Sequence, residues 1–153
     1  LAKVLVVYQS KWGNTKIVAE KIAEGLNKAP GIESAVGTVK EVKTDRLVDS
    51  DAILIGSPNH FGQATGGTKK FISRLAKLQL NAKGIAFFDT FLGKDYEKGV
   101  KKMEKHAAAT LAEMEILAPG LSIRVEGMKG PIAEGELPKC ADFGAKIAAR
   151  LSS

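Results

Sequence analysis

The 153-residue chain has one cysteine, Cys140, so it can form neither an internal disulfide nor a paired-cysteine redox or metal motif. Its place in the last helical stretch predicts a small buried apolar residue. Histidine is almost as scarce. His60 and His106 have no second ligand at metal spacing, and His106 reads as a helix-flank residue, which argues against a metal centre. No apolar run approaches the roughly 18 residues that a bilayer requires. The chain opens on a strand-like run rather than a charged leader, so the expectation is a soluble, cytoplasmic protein with no membrane insertion. Repeats, low-complexity tracts and linkers are missing as well.

Charge is mixed. Against 17 acidic residues stand 23 Lys and Arg, a net charge of +6, which permits nucleic acid, a membrane surface or acidic partners without requiring any of them. Length and a 44% hydrophobic content suit one domain, residues 1–153, around one sizeable core.

Strand-like and helix-like segments alternate along the whole chain. Lys3–Tyr8, Asp51–Gly56 and Lys83–Asp89 are nearly continuous apolar runs, the pattern of strands buried on both faces. Ile32–Val39 is a weaker strand, and Glu115–Val125 a last one interrupted by Pro119-Gly120. Between them lie helices marked by Ile17, Val18, Ile22 and Leu26; by Phe71, Leu75 and Leu78; by a long stripe from about Tyr96 to Glu115; and by Phe143, Ile147 and Leu151. Right-handed βαβ units built from these segments predict a three-layer α/β/α sandwich on a five-stranded parallel sheet, with four or five helices.

Ligands of such sheets bind beyond the carboxyl ends of the strands, which singles out three loops: Gln9–Thr15, Ser57–Gly67 and Asp89–Lys94. The first joins a buried strand to a helix N-terminus, where free N–H groups and the helix dipole favour an anion. Ser10, Asn14 and Thr15 add short polar groups, Gly13 permits close approach, and no carboxylate repels a phosphate; Ser10 and Asn14 can equally serve as helix caps alone. The second contains GQATGGTK, whose Thr68-Lys69 order is reversed from that of a phosphate-binding P-loop. It reads instead as a platform on which His60 and Phe61 meet a planar ligand, with Gly62 supplying backbone freedom. Asp89 at a strand end suggests either proton transfer or, more simply, capping of the next turn. The phosphoacceptor domains that share this topology need an acidic pair after the first strand and an aspartate after the third, where this chain has Tyr8-Gln9-Ser10 and Gly56-Ser57.

Taken together, YQSKWGNT at 8–15, GSPNHFGQATGGTKKFISRL at 56–75 and the βαβ order resemble the flavodoxin family. The aromatic in WGNT and the SPxxFG pattern are similar to the quinone reductases related to tryptophan-repressor-binding proteins. The resemblance implies strand order 2-1-3-4-5 and noncovalent FMN. It places Ser10, Lys11, Trp12, Gly13, Asn14 and Thr15 around the phosphate. Ser57, Pro58, Asn59, His60, Phe61, Gly62 and Gln63 would flank the ring, and Asp89, Thr90, Phe91 and Gly93 would close the other side, with no catalytic side chain. It also implies a reorienting Gly62-Gln63 peptide that favours a one-electron-reduced ring.

Two departures stand out: Trp12 replaces a hydroxyl residue common in the carriers, and FFDTFLGKD lacks their glycine-rich, acidic, tyrosine-bearing pattern. Lys11, Lys69, Lys70 and Lys94, in or beside these loops, predict a fully reduced anionic ring less disfavoured than in acidic carriers. Three functions follow. The leading one is an electron carrier between redox partner proteins, acidic ones included. Next is an NAD(P)H-dependent quinone reductase, for whose usual extra loops the chain has little room. Last is a noncatalytic basic module; because the aromatics are not interleaved with basic residues, nucleic acid is not expected as a partner.

Overall fold

A computed structural model describes residues 1–152. The elements follow one another as β1 (Ala2–Tyr8), α1 (Asn14–Asn27), β2 (Ile32–Thr38), α2 (Thr44–Asp49), β3 (Ala52–Pro58), α3 (Gly66–Leu75), β4 (Gly84–Phe91), α4 (Lys98–Thr110), β5 (Glu115–Ile116), β6 (Leu121–Arg124) and α5 (Leu137–Ser152). All pairings between these strands are parallel. The order is β2-β1-β3-β4-β5, with β6 also on β4, so β5 and β6 are two halves of one fifth position. Val6 lies opposite Val36 on one side and Leu54 on the other, which puts β1 inside the sheet with neighbours on both edges and makes its apolar run continuous.

Strand alternation divides that run between two cores. Leu5, Val7, Ile53, Ile55 and Phe87 pack with Leu47, Phe71, Ile72, Leu75, Val100 and Met103 beneath α2, α3 and α4. Val4, Val6, Leu54, Ala86 and Phe88 pack on the opposite face with Val18, Ile22, Phe143 and Ile147 of α1 and α5. These two helices cross in near backbone contact. A Cβ on Gly25 would strike the carbonyl of Ala141, and one on Gly144 the carbonyl of Ile22.

The elements differ from the sequence expectation in several places, and β3 runs past Gly56 to Pro58, so Ser57 and Pro58 are strand residues rather than loop residues. The helix expected over Tyr96–Glu115 forms only over Lys98–Thr110, because Glu97 enters it at φ 61° and Leu111 leaves helical geometry at φ −126°. Helix α2 was not anticipated; with six residues and one buried side chain, Leu47, it is too short to display a period. The break at Pro119-Gly120 divides the last strand outright. Strand β4 continues to Phe91, so Thr90 and Phe91 are strand residues rather than loop residues.

Candidate functional site

Where β1, β3 and β4 end, their loops enclose a cleft of about 370 Å³. Its first wall is the turn between β1 and α1. The Ser10 hydroxyl accepts from the Gly13 N–H at 2.9 Å, which closes the turn, and Gly13 stands at φ 95° as the N-cap of α1. A glycine cap offers no side chain to the first helical turn, whose N–H groups are left for an outside acceptor. Ser10 therefore shapes the turn and does not cap the helix. The hydroxyls of Thr15 and Thr90, both buried, meet at 3.0 Å and pin the turn to β4. Trp12, 45% exposed, lies in the lining with the ammonium of Lys11 5.4 Å and that of Lys129 4.8 Å from its ring centre.

The second wall is a tight hairpin. His60 and Gln63 exchange backbone hydrogen bonds of 2.7 and 3.0 Å around Phe61 at φ 52° and Gly62 at φ 77°. Two consecutive left-handed residues give the twist that suits a two-residue turn. Gly62 adopts this backbone freely, whereas Phe61 holds it at a steric cost while its ring stands 99% exposed at the mouth. Beneath the hairpin, the Ser57 hydroxyl accepts from the Thr65 N–H at 3.0 Å and donates to the Pro58 carbonyl at 2.9 Å. Asn59 is held from two directions, its N–H donating to the Thr90 carbonyl at 2.9 Å and its side-chain amide to the Asp95 carbonyl at 3.1 Å. Its Oδ1 is buried and has no partner among the described residues.

The third wall comes from the end of β4 and the segment beyond it: Thr90, Phe91, Leu92 and Asp95, with Phe91 edge-on to Tyr96 at 5.4 Å between ring centres. Asp89 does not reach the cleft. Its carboxylate is wholly buried behind it, accepting from the Ser122 hydroxyl at 2.5 Å and from the Val100 N–H at 2.9 Å, and so caps the start of α4. Burial pushes its pKa up to about 6 against these hydrogen bonds.

Of the residues singled out in the sequence, the cleft brings together Ser10, Lys11, Trp12, Asn14, Thr15, Pro58, Asn59, His60, Phe61, Thr90 and Phe91. Gly13, Ser57, Gly62, Gln63 and Gly93 lie outside the lining, within or next to the loops that form it, and Asp89 lies behind it. Lys69 and Lys70 line a different cavity, on α3. Leu92, Asp95, Val125 and Met128 complete the lining without having been singled out. Val125 and Met128 follow β6, the last strand, so the rule that led to the other loops also pointed to this one. The loop presses on the first turn, since a Cβ on Gly130 would sit 2.6 Å from Oδ1 of Asn14.

This sequence and this fold are matched by known proteins. Residues 5–124 match the flavodoxin domain over most of the chain. The chain belongs to the flavodoxin family. It is 35% identical over 71 residues to a flavodoxin of Aquifex aeolicus (strain VF5), a match covering 46% of this chain and 38% of that protein. The chain thus matches well under half the length of that relative. In fold it follows a flavodoxin from the domain Archaea, with TM-score 0.82 and 24% identity over 99% of each chain. Flavodoxin 2 from Bacillus cereus gives TM-score 0.80 and 24% identity over 97% of this chain and 99% of that one.

Flavodoxins bind FMN, and this cleft fits that group on its own observations. The turn from Tyr8 to Thr15 contains no carboxylate and faces uncapped N–H groups, as a phosphate requires. The lining surface is largely apolar and aromatic, as a planar ring requires, and one of its residues, Asn59, holds a buried side-chain acceptor, Oδ1, that has no partner among the described residues. Among the described residues, no helix is long and apolar enough to cross a membrane.

Proposed function

We propose that this flavodoxin-family chain is an FMN electron carrier that passes electrons between redox partner proteins in the cytoplasm. The observation that carries the reading is the pairing, across one cleft, of a carboxylate-free helix N-terminus with the strained hairpin at Phe61-Gly62. Bound FMN supplies the ring that takes up and gives out electrons. The chain's own residues hold and orient it. The N–H groups at the start of α1 and the side chains of Ser10, Asn14 and Thr15 receive the phosphate, while Lys11 adds positive charge. Pro58, His60 and Phe61 on one side and Phe91 on the other would exclude water from the ring, with Asn59 fixed in the lining by the Thr90 and Asp95 carbonyls. Gly62, at φ 77°, gives the Gly62-Gln63 peptide the freedom to turn that a ring bound beside it would call on. No side chain in the lining is required as acid or base.

A second reading, a quinone reductase fed by NAD(P)H, is favoured by one observation. Phe61, Trp12 and Met128 stand exposed around the mouth and leave an open aromatic and thioether surface beside the ring position.

Anaerobic stepwise reduction of the FMN-loaded, desalted protein, followed by its visible spectrum, tests the proposal. A carrier passes through a spectrally distinct half-reduced form that persists. Direct passage to the fully reduced flavin, together with rapid oxidation of a nicotinamide donor, sinks the carrier reading in favour of the reductase. Failure to retain flavin sinks both.

A further inference from the structure

A second and larger cavity, about 580 Å³, lies between α3 and α4. Its floor is apolar, formed by Ala64, Ile72 and Met103, and five cations ring it: Lys69, Lys70, Arg74, Lys77 and Lys102. His106 closes one side, its Nε2 3.3 Å from the Ser73 hydroxyl. None of the five cations has an ion-pair partner among the described residues. Arg74 donates to the Thr44 hydroxyl at 2.7 Å, and Lys69 to Oε1 of Gln63 at 2.5 Å. Two other lysines of α4 behave differently, Lys98 pairing with Asp95 and Lys101 with Glu97. From Ala52 to Phe88 the chain has no acidic residue at all. Positive charge is therefore concentrated and left uncompensated on this one groove.

We propose that the groove is the docking surface for an acidic segment of a redox partner protein, an inference that rests on the electron-carrier reading. Charge complementarity selects an anionic occupant. Geometry selects a segment over a small anion. Lys70 lies in the second turn of α3 and Lys77 two residues past its end, a spacing of about 10 Å at helical rise, so one phosphate cannot span them, whereas carboxylates on successive turns of a partner can. The apolar floor receives the carbon surface that such a segment carries between its charges. The groove also adjoins the cofactor cleft, because Lys69 on its rim bonds Gln63, whose backbone closes the hairpin beneath Phe61. A partner seated there approaches the flavin from the hairpin side. Exposed lysines give fast, salt-sensitive encounter rather than tight binding, which suits a carrier that must leave its partner.

The test uses the FMN-loaded chain, isotope-labelled for nuclear magnetic resonance and titrated with a helical peptide bearing a leucine stripe flanked by glutamates. Amide shifts concentrated on α3, α4 and the Phe61 hairpin are expected. The double reversal Lys70→Glu with Lys77→Glu should weaken binding by about tenfold or more, while Lys28→Glu with Lys146→Glu, the same charge change elsewhere, leaves it within about twofold. Equal losses in the two pairs, shifts scattered over other faces, or no binding overturn the proposal. So does tighter occupation of the groove by tripolyphosphate or a single-stranded oligonucleotide. Flavin content and stepwise reduction are followed on the same samples. A chain that cycles its flavin but ignores the peptide loses the groove alone, and one that binds the peptide without holding flavin loses the carrier reading alone.

Discussion

Asp89 and Ser122, 33 residues apart, share a 2.5 Å hydrogen bond inside the protein, joining β4 to β6 directly behind the cofactor cleft. Burial raises the Asp89 pKa from 3.8 to about 6 even though Ser122 and the Val100 N–H favour its charge. A carboxyl raised in the folded state stabilises the fold fully below its unfolded value, and that contribution is lost as the pH climbs through about 6. The span corresponds to about 3 kcal/mol. Urea unfolding at pH 4, 5, 6 and 7 should show wild type losing about this much relative to Asp89→Asn across the window. A difference that stays flat with pH would place the carboxyl elsewhere or pair it differently.

Trp12 is the sole tryptophan and lines the cleft. FMN should therefore quench most of the intrinsic tryptophan emission and saturate at one equivalent. Emission unchanged at saturating FMN would mean that the flavin sits away from the first turn.

Gly130 and Gly135 both have positive φ, at 97° and 84°, but only Gly130 abuts another side chain. Gly130→Ala should push Asn14 out of the first turn and weaken FMN binding by about tenfold, which is about 1.4 kcal/mol. Gly135→Ala faces open space and should cost only about 1 kcal/mol of stability. Fluorescence titration and thermal unfolding of the two variants separate these effects, and equal FMN affinities would show that loop 125–136 does not support the phosphate turn.

Phe61 holds a left-handed backbone for which an aromatic side chain is poorly suited. Phe61→Asn should stabilise the flavin-free protein by up to about 1 kcal/mol, since asparagine tolerates this conformation. The same change should weaken FMN binding severalfold by removing the ring at the mouth. A variant that is less stable and binds FMN unchanged would reverse the role assigned to this residue.

The continuous apolar runs of β1, β3 and β4 were legible in the sequence because strands buried on both faces have no polar positions to break them. Helix α2 was not, since a single buried Leu47 carries no period, and β4 overran its expected end because Thr90 reads as a loop residue until its hydroxyl is seen facing Thr15. At the site, the turn at 10–15 and the unusual backbone at Gly62 were legible from glycine placement and helix-start chemistry, whereas the hairpin closed by His60 and Gln63 was not. Lys69 and Lys70 stand beside the second loop as expected, Lys69 bonding Gln63, but they line the α3 cavity and not the cleft, because nearness in sequence to a loop says nothing about which way the next helix points its side chains. Val125 and Met128 went unnamed because no local residue pattern marks them, although their place after the last strand pointed to the cleft, against which their loop packs beside Asn14.

The close crossing of α1 and α5 at Gly25 and Gly144 sets an order of events during synthesis. Helix α1 carries the phosphate turn at its start, yet one flank of it is covered only by residues near the far end of the described chain. A nascent chain on the ribosome therefore lacks the backing of its first helix until about residue 144 has emerged, so secure flavin capture is expected to await the emergence of α5.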